Sequence, residues 1–168
     1  MEPIISIIMG STSDYSVMEK AAKFLDEMEI PFEVNALSAH RTPEAVTEFA
    51  TKAAGRGIKV IIAGAGMAAH LPGVIAAQTP LPVIGVPIKA SFEGMDALLA
   101  IVQMPPGIPV ATVGVNAALN SAIFAMQILS LTDAGIAKKF VSYKESLKNK
   151  ITKANADLKE IKFTFKTN

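Results

Sequence analysis

Ile4-Ile5-Ser6-Ile7-Ile8-Met9-Gly10-Ser11-Thr12-Ser13-Asp14-Tyr15 is the stretch whose reading decides the fold. Its first six residues are apolar apart from Ser6, the pattern of a strand covered on both faces. A glycine and four polar residues follow, and from Tyr15 onward apolar side chains return at helical spacing. Strand, polar turn and helix make the first half of a crossover unit. The same order recurs down the chain. Apolar runs rich in Val and Ile predict further strands at 32–37, 59–63, 83–86 and 110–115, all without polar alternation. Amphipathic segments predict helices at 15–28, 43–56, 71–78, 95–102 and 117–129. Alternation of this kind predicts a doubly wound α/β fold, flavodoxin-like, with a parallel sheet, helices on both faces and right-handed crossovers.

The end of the chain reads differently. Ile136, Phe140, Tyr143, Leu147, Ile151, Ala154 and Leu158 follow one another at intervals of three and four, an apolar stripe with lysines on the other faces. A helix of about 25 residues would be ~37 Å long at the usual rise. It either lies across its own domain or packs on a neighbour. The 168 residues are read as one α/β domain. Within it, 1–130 carry the chemistry and 131–168 form a helical tail suited to subunit assembly. A chain of this size buries roughly 70% of its unfolded surface.

Composition narrows the function. The net charge of +1, two Tyr and absence of Trp give no footing for nucleic acid. Residues 131–168 hold nine Lys and four acidic residues, spaced like a solvated helix face. The absence of cysteine removes disulfides, thiolate nucleophiles and Cys-type zinc sites. Met1-Glu2-Pro3-Ile4 has no signal-peptide character, and a cytoplasmic protein is expected by default. Residues 97–132 carry no charge, a length that would span a bilayer, but Pro105, Pro106, Gly107 and Pro109 divide them. They are read as core and subunit interface, with no membrane partner.

In open parallel sheets ligands bind beyond the carboxyl ends of the strands. Three loops there carry unusual residues. In Gly10-Ser11-Thr12-Ser13-Asp14 a glycine admits a ligand close to the backbone, and hydroxyls with free N–H groups at a helix start suit a phosphate. Plain capping by Ser13 or Asp14 is the competing reading. In Ser38-Ala39-His40-Arg41-Thr42-Pro43, Thr42 as cap and Pro43 at the first helical position begin a helix. They hold His40, a group able to give and take protons near neutrality, beside the anion-binding fork of Arg41. A surface His and Arg near a cap is the alternative. In the third loop, Gly64-Ala65-Gly66 with Ala69 mimics a dinucleotide fingerprint. Against it, Pro72 suits the first helical turn, which makes 64–70 a loop, and no acidic residue occurs from Val60 through Ile88 to hold a ribose. A loop of small residues leaves room for a ligand, and His70 either faces that ligand or bonds the loop backbone. No phosphate loop, nucleophile elbow or metal-type histidine spacing is present.

Taken together, these segments resemble a known family. Met9 to Asp14, Ser38 to Pro43, Ala63 to Gly66 with Ala68 to Gly73, Gly85-Val86-Pro87, and Gln103-Met104-Pro105 with Gly107 to Val113 are similar, in order and spacing, to the 5-(carboxyamino)imidazole ribonucleotide mutases of purine biosynthesis. The resemblance covers about residues 3–130, and the long tail helix fits it. It implies a small ribonucleotide substrate, 5-carboxyamino-1-(5-phospho-ribosyl)imidazole, whose carboxyl group moves to the ring carbon. It implies no metal, nucleotide or biotin cofactor, and an octamer whose tail helix reaches a neighbour. By position, it implies that Ser11, Asp14 and Arg41 hold the ribose phosphate. Ser13 and Ser38 stand in the same two binding loops. It implies that His40 is the acid/base group, and that Gly64, Ala65, Gly66, Ala69, His70 and Leu71 wall the imidazole and the migrating carboxyl. The implied reaction releases carbon dioxide, and the ring carbon then attacks it; small apolar residues such as Ala65, Ala68 and Ala69 suit a dry pocket for that step. The chain departs from the family pattern at Met67, at Gly114, and at Ala90-Ser91-Phe92-Glu93-Gly94, which is one residue short. The competing functions are direct carboxylation of aminoimidazole ribonucleotide with carbon dioxide, a non-catalytic nucleotide-binding module, and a dehydrogenase using Gly64 and Gly66. Gln103 to Pro109 resembles the bacterial mutase branch.

Overall fold

The computed structural model describes residues 2–168. β1 (Ile5–Met9), β2 (Phe32–Ala36), β3 (Val60–Gly66), β4 (Val83–Ile88) and β5 (Ala111–Thr112) form a parallel sheet in the order β2-β1-β3-β4-β5. The intervening helices are α1 (Tyr15–Glu27), α2 (Pro43–Ala53), α3 (Leu71–Ala76), α4 (Met95–Val102) and α5 (Ala118–Ser130), and α6 (Ala134–Glu160) ends the chain. One compact unit ends at Ile128, and a second runs Leu129–Asn168.

The three central strands, β1, β3 and β4, are built on buried side chains. All residues of β1 and β4 are buried, as are the first six of β3. Ile7, Ile61, Ile62 and Ile84 are each 0% exposed, and burying such a side chain is worth about 1.5–3 kcal/mol. One face packs with Val46, Phe49 and Ala53 of α2, Leu71 and Ile75 of α3, and Ile101 of α4. The opposite face meets α1, closely enough that a Cβ on Gly64 would lie 2.5 Å from Met18 Sδ. Helices therefore cover both faces.

Three elements depart from the sequence expectation. β2 alternates, with Val34 42% exposed between Glu33 and Asn35, because it lies at the edge of the sheet. Its inner polar groups are used: Glu33 accepts from the buried Ser6 hydroxyl at 2.9 Å and takes both guanidinium nitrogens of Arg56 at 2.8 Å. β5 is two residues long instead of six, since Pro109 has no N–H to donate and Asn116 turns the chain at φ 57°. Gly64, Ala65 and Gly66 lie in β3, not in a loop; they pair with Val86, Pro87 and Ile88 of β4. Glycine there makes room for neighbouring side chains, a use that looks like a loop in sequence.

The uncharged stretch is divided among α4, β5, α5 and the loops between them. Among the described residues no helix is long and apolar enough to cross a membrane. In the second unit, the Asp133 side chain caps α6 by accepting from the Ile136 N–H at 2.9 Å. Lys166 Nζ closes its other end, donating to the carbonyls of Leu158, Lys159 and Ile161. With 27 residues α6 is ~40 Å long.

Candidate active site

The strand order changes direction between β1 and β3, which leave toward opposite edges of the sheet, and this is where ligands bind in such folds. Register brings the loops level. Met9 pairs with Ala36 on one side and Gly64 on the other, so the loops after β1 and β2 depart from one rung. A cleft of about 580 Å³ opens there, reached also by the turn after β3 and the start of the β4–α4 loop.

The loop after β1 is a short 3₁₀ turn, Thr12–Asp14. Ser11, rather than Ser13 or Asp14, is the capping residue, and its Oγ accepts from the Ser13 N–H at 3.3 Å and from the Ser13 hydroxyl at 3.0 Å. Asp14 sits at the cap position of α1 without a side-chain capping bond. Asp14 lines the cleft. Burial raises the Asp14 pKa above the ordinary value, against weaker opposing effects of the Ser11 backbone, the Ser13 side chain and the Arg41 charge.

The loop after β2 is knotted on itself. Thr42 Oγ1 accepts from the Ser38 N–H at 2.9 Å and donates to the Ser38 carbonyl at 3.1 Å. Thr42 thus occupies the cap position of α2 while its hydroxyl serves this loop instead of the helix. Pro43 opens α2 as expected. Ser38 Oγ also accepts from the Arg41 N–H at 3.2 Å and from Arg41 Nε at 3.3 Å, and Arg41 Nη2 donates to the Gly10 carbonyl at 3.0 Å. The guanidinium is fixed between the first two loops.

The third segment supplies a floor and a second histidine. Ala65, Ala69 and Leu71 are buried where they line the cleft. Ala69 donates its N–H to the Gly66 carbonyl at 3.0 Å, closing a tight turn with Met67 at φ 55° and Ala69 at φ 46°. A non-glycine residue held in that region costs on the order of 1–3 kcal/mol. His70, expected either to face a ligand or to bond its own loop, faces His40: Nδ1 of His70 lies 2.7 Å from Nε2 of His40, with the rings nearly perpendicular. At this distance one ring donates an N–H and the other accepts, and the tautomer decides which.

The cleft thus gathers Ser11, Ser13, Asp14, Ser38, His40, Arg41, Ala65, Gly66, Ala69, His70 and Leu71. Gly64 is left out; it is packed beneath Met18 and Ile88. Gly10, the glycine of the first loop, joins through its carbonyl, and Ala90, just beyond β4, was not among the expected site residues, although the carboxyl-end rule points to it. Among the described residues no group of three or more His, Asp or Glu is placed to hold a metal ion.

Comparison with known proteins gives the family and the fold. Residues 4–150 match the family described as AIR carboxylase. The chain belongs to that family. One relative, the N5-carboxyaminoimidazole ribonucleotide mutase of Pyrococcus abyssi, is 57% identical over 147 residues, covering 87% of this chain and 84% of that protein. The phosphoribosylaminoimidazole carboxylase of Candida glabrata is 48% identical over 95% of this chain, but the match takes in only 28% of that longer protein. Among solved structures, the crystal structure of Treponema denticola PurE superposes with a TM-score of 0.86 at 33% identity, covering 94% of this chain and 99% of that one. The expected family resemblance is therefore correct for the AIR carboxylase family as a whole, and the doubly wound fold is shared with a family member of known structure.

Proposed function

We propose that the protein converts N5-carboxyaminoimidazole ribonucleotide into the isomer carrying the carboxylate on the ring carbon, a step of purine biosynthesis. The observation that carries this reading is the placement of His40 beside the fixed Arg41 guanidinium and across from an apolar floor of Ala65 and Ala69. An anionic ribonucleotide needs the first and a released carbon dioxide molecule the second. The relative at 57% identity bears the mutase name, and this reading takes that reaction over the direct carboxylation named for relatives at 48 and 52% identity.

Arg41, with the hydroxyls of Ser11, Ser13 and Ser38, binds the ribose phosphate end, remote from the reacting bond; Asp14 holds the ribose side. The N–C bond to the carboxylate breaks, its electron pair stays on nitrogen, and protonated His40 donates to that nitrogen. Carbon dioxide and the aminoimidazole remain side by side. The ring carbon then attacks carbon dioxide, and neutral His40 removes the ring proton, restoring its starting state. Holding the two reactants together is a proximity effect. His70 acts through His40: its bond occupies Nε2 of His40 and leaves Nδ1 as the nitrogen that donates and then accepts the proton.

The same reading includes a homo-oligomer, an octamer by family resemblance. Apolar exposure supports it: Met95, Leu99 and Val102 of α4 are 48, 48 and 52% exposed, and Ile151 and Leu158 of α6 are 72 and 58% exposed. Isolated apolar residues are common on surfaces, but a row along one helix face marks a contact.

The test is direct. Purified protein is given the N-carboxylated ribonucleotide without ATP, or aminoimidazole ribonucleotide with bicarbonate, and the ring-carboxylated product is followed. Turnover of the first substrate at much lower concentration is expected; turnover of the second alone replaces this reading with direct carboxylation.

A further inference from the structure

Of the two non-glycine residues that the turn after β3 holds in the left-handed region, Ala69 donates the hydrogen bond that closes it, and Met67 has no such part. Met67 stands at φ 55°, a conformation that glycine adopts freely and a long side chain does not. It is 63% exposed, so burial does not repay the strain, and it lines the cleft. Its neighbours on that wall, Ala65, Gly66, Ala68 and Ala69, have methyl groups or none. The turn itself is closed by the Ala69 N–H and the Gly66 carbonyl, main-chain groups that need no side chain at 67. What the strain retains is a single long, unbranched, polarizable side chain at the open rim of an otherwise methyl-lined pocket. Inference from a strained residue to a function runs in this direction.

We infer that Met67 is a positioning residue that closes over the bound ribonucleotide and retains the carbon dioxide released in the isomerisation, which rests on the mutase reading above. Carbon dioxide is small, apolar and uncharged. It offers little for Arg41 or the histidines to grip, and an apolar cover at the rim slows its escape from an open cleft. Met67, with three rotatable bonds beyond its Cα, can lie aside while the ligand enters and fold across afterwards. Water exclusion and suppression of side reactions are what such a cover supplies. The chemistry at His40 does not require it; the fate of the intermediate does.

The test uses a single turnover, with enzyme in excess over N-carboxylated ribonucleotide bearing isotopically labelled carbon in its carboxyl, in buffer containing unlabelled bicarbonate. The parent is expected to pass its label to the ring carboxylate. Met67→Gly, which suits the left-handed backbone and is expected to fold, should lose label and release decarboxylated nucleotide roughly three-fold more. Met67→Leu, which restores apolar bulk, should return retention to the parental level. Equal retention in the parent and the glycine variant overturns the inference while leaving the mutase reading intact. If the parent itself forms no ring-carboxylated nucleotide, the mutase reading falls and this inference falls with it.

Discussion

Nε2 of His40 and Nδ1 of His70, thirty residues apart in sequence, are joined at 2.7 Å across the mouth of the cleft. Removing the two partners therefore has unequal consequences. His40→Asn deletes the proton carrier and should lower kcat by about 10²–10⁴-fold. His70→Asn, able to donate or accept toward His40, should cost roughly ten-fold, and His70→Phe, which can do neither, distinctly more, with KM nearly unchanged in both. Steady-state kinetics of the three variants check this; an Asn and a Phe at position 70 that behave alike would remove His70 from the mechanism.

Arg41 is held at two points, Gly10 O at 3.0 Å and Ser38 Oγ at 3.3 Å, through two different guanidinium nitrogens. An ammonium cannot reproduce that fork. Arg41→Lys should raise KM for the phosphorylated substrate about ten-fold with a smaller change in kcat, and Arg41→Ala should raise it further. A KM unchanged in the lysine variant would place the phosphate elsewhere.

Asp14 has its pKa raised, chiefly by burial. The folded state then binds a proton more tightly than the unfolded chain, so the stability associated with this group is present at low pH and lost as pH rises through the folded value. Asp14→Asn should melt above the parent at neutral pH, with the gap closing as the pH falls below about 4, where both states of the parent carry the proton. Substrate affinity should fall in the same variant. Thermal melts across that range test the sign.

Glu33 behaves in the opposite sense. The hydrogen bonds from Arg56 hold its pKa below the ordinary value, and Ser6 and Asn35 add to this against the cost of burial. Its stabilisation is present above the unfolded carboxylate pKa and disappears as pH falls through the folded one. Glu33→Gln should be about 1 kcal/mol less stable at neutral pH and match the parent under acid conditions, as followed by denaturant unfolding. Activity should persist, since this cluster is absent from the cleft lining.

How far the sequence carried depends on which physical signal each element leaves. β1, β3 and β4 are buried throughout or nearly so, and unbroken apolar runs announce them. Met95–Val102 is a helix at the predicted bounds. β2 misleads because Glu33 and Asn35 are inner polar groups satisfied by partners far along the chain. The glycines of β3 mislead because an absent side chain means a turn in one setting and a close approach in another. In the site, each loop at the carboxyl edge is legible on its own. The contact between His40 and His70 is not, because it depends on how strands pair and not on any property of either loop.

That pairing bears on how the chain tolerates change in length. Since Met9 shares one rung with Ala36 and Gly64, a residue inserted within a strand would shift its loop by about 3.3 Å and turn alternate side chains to the wrong face. The connection from Ala90 to Gly94 lies beyond the last paired residue of β4 and runs through left-handed backbone at Phe92, Glu93 and Gly94. The strands act as a fixed ruler from which every functional side chain is measured, and the connections between them carry no such constraint.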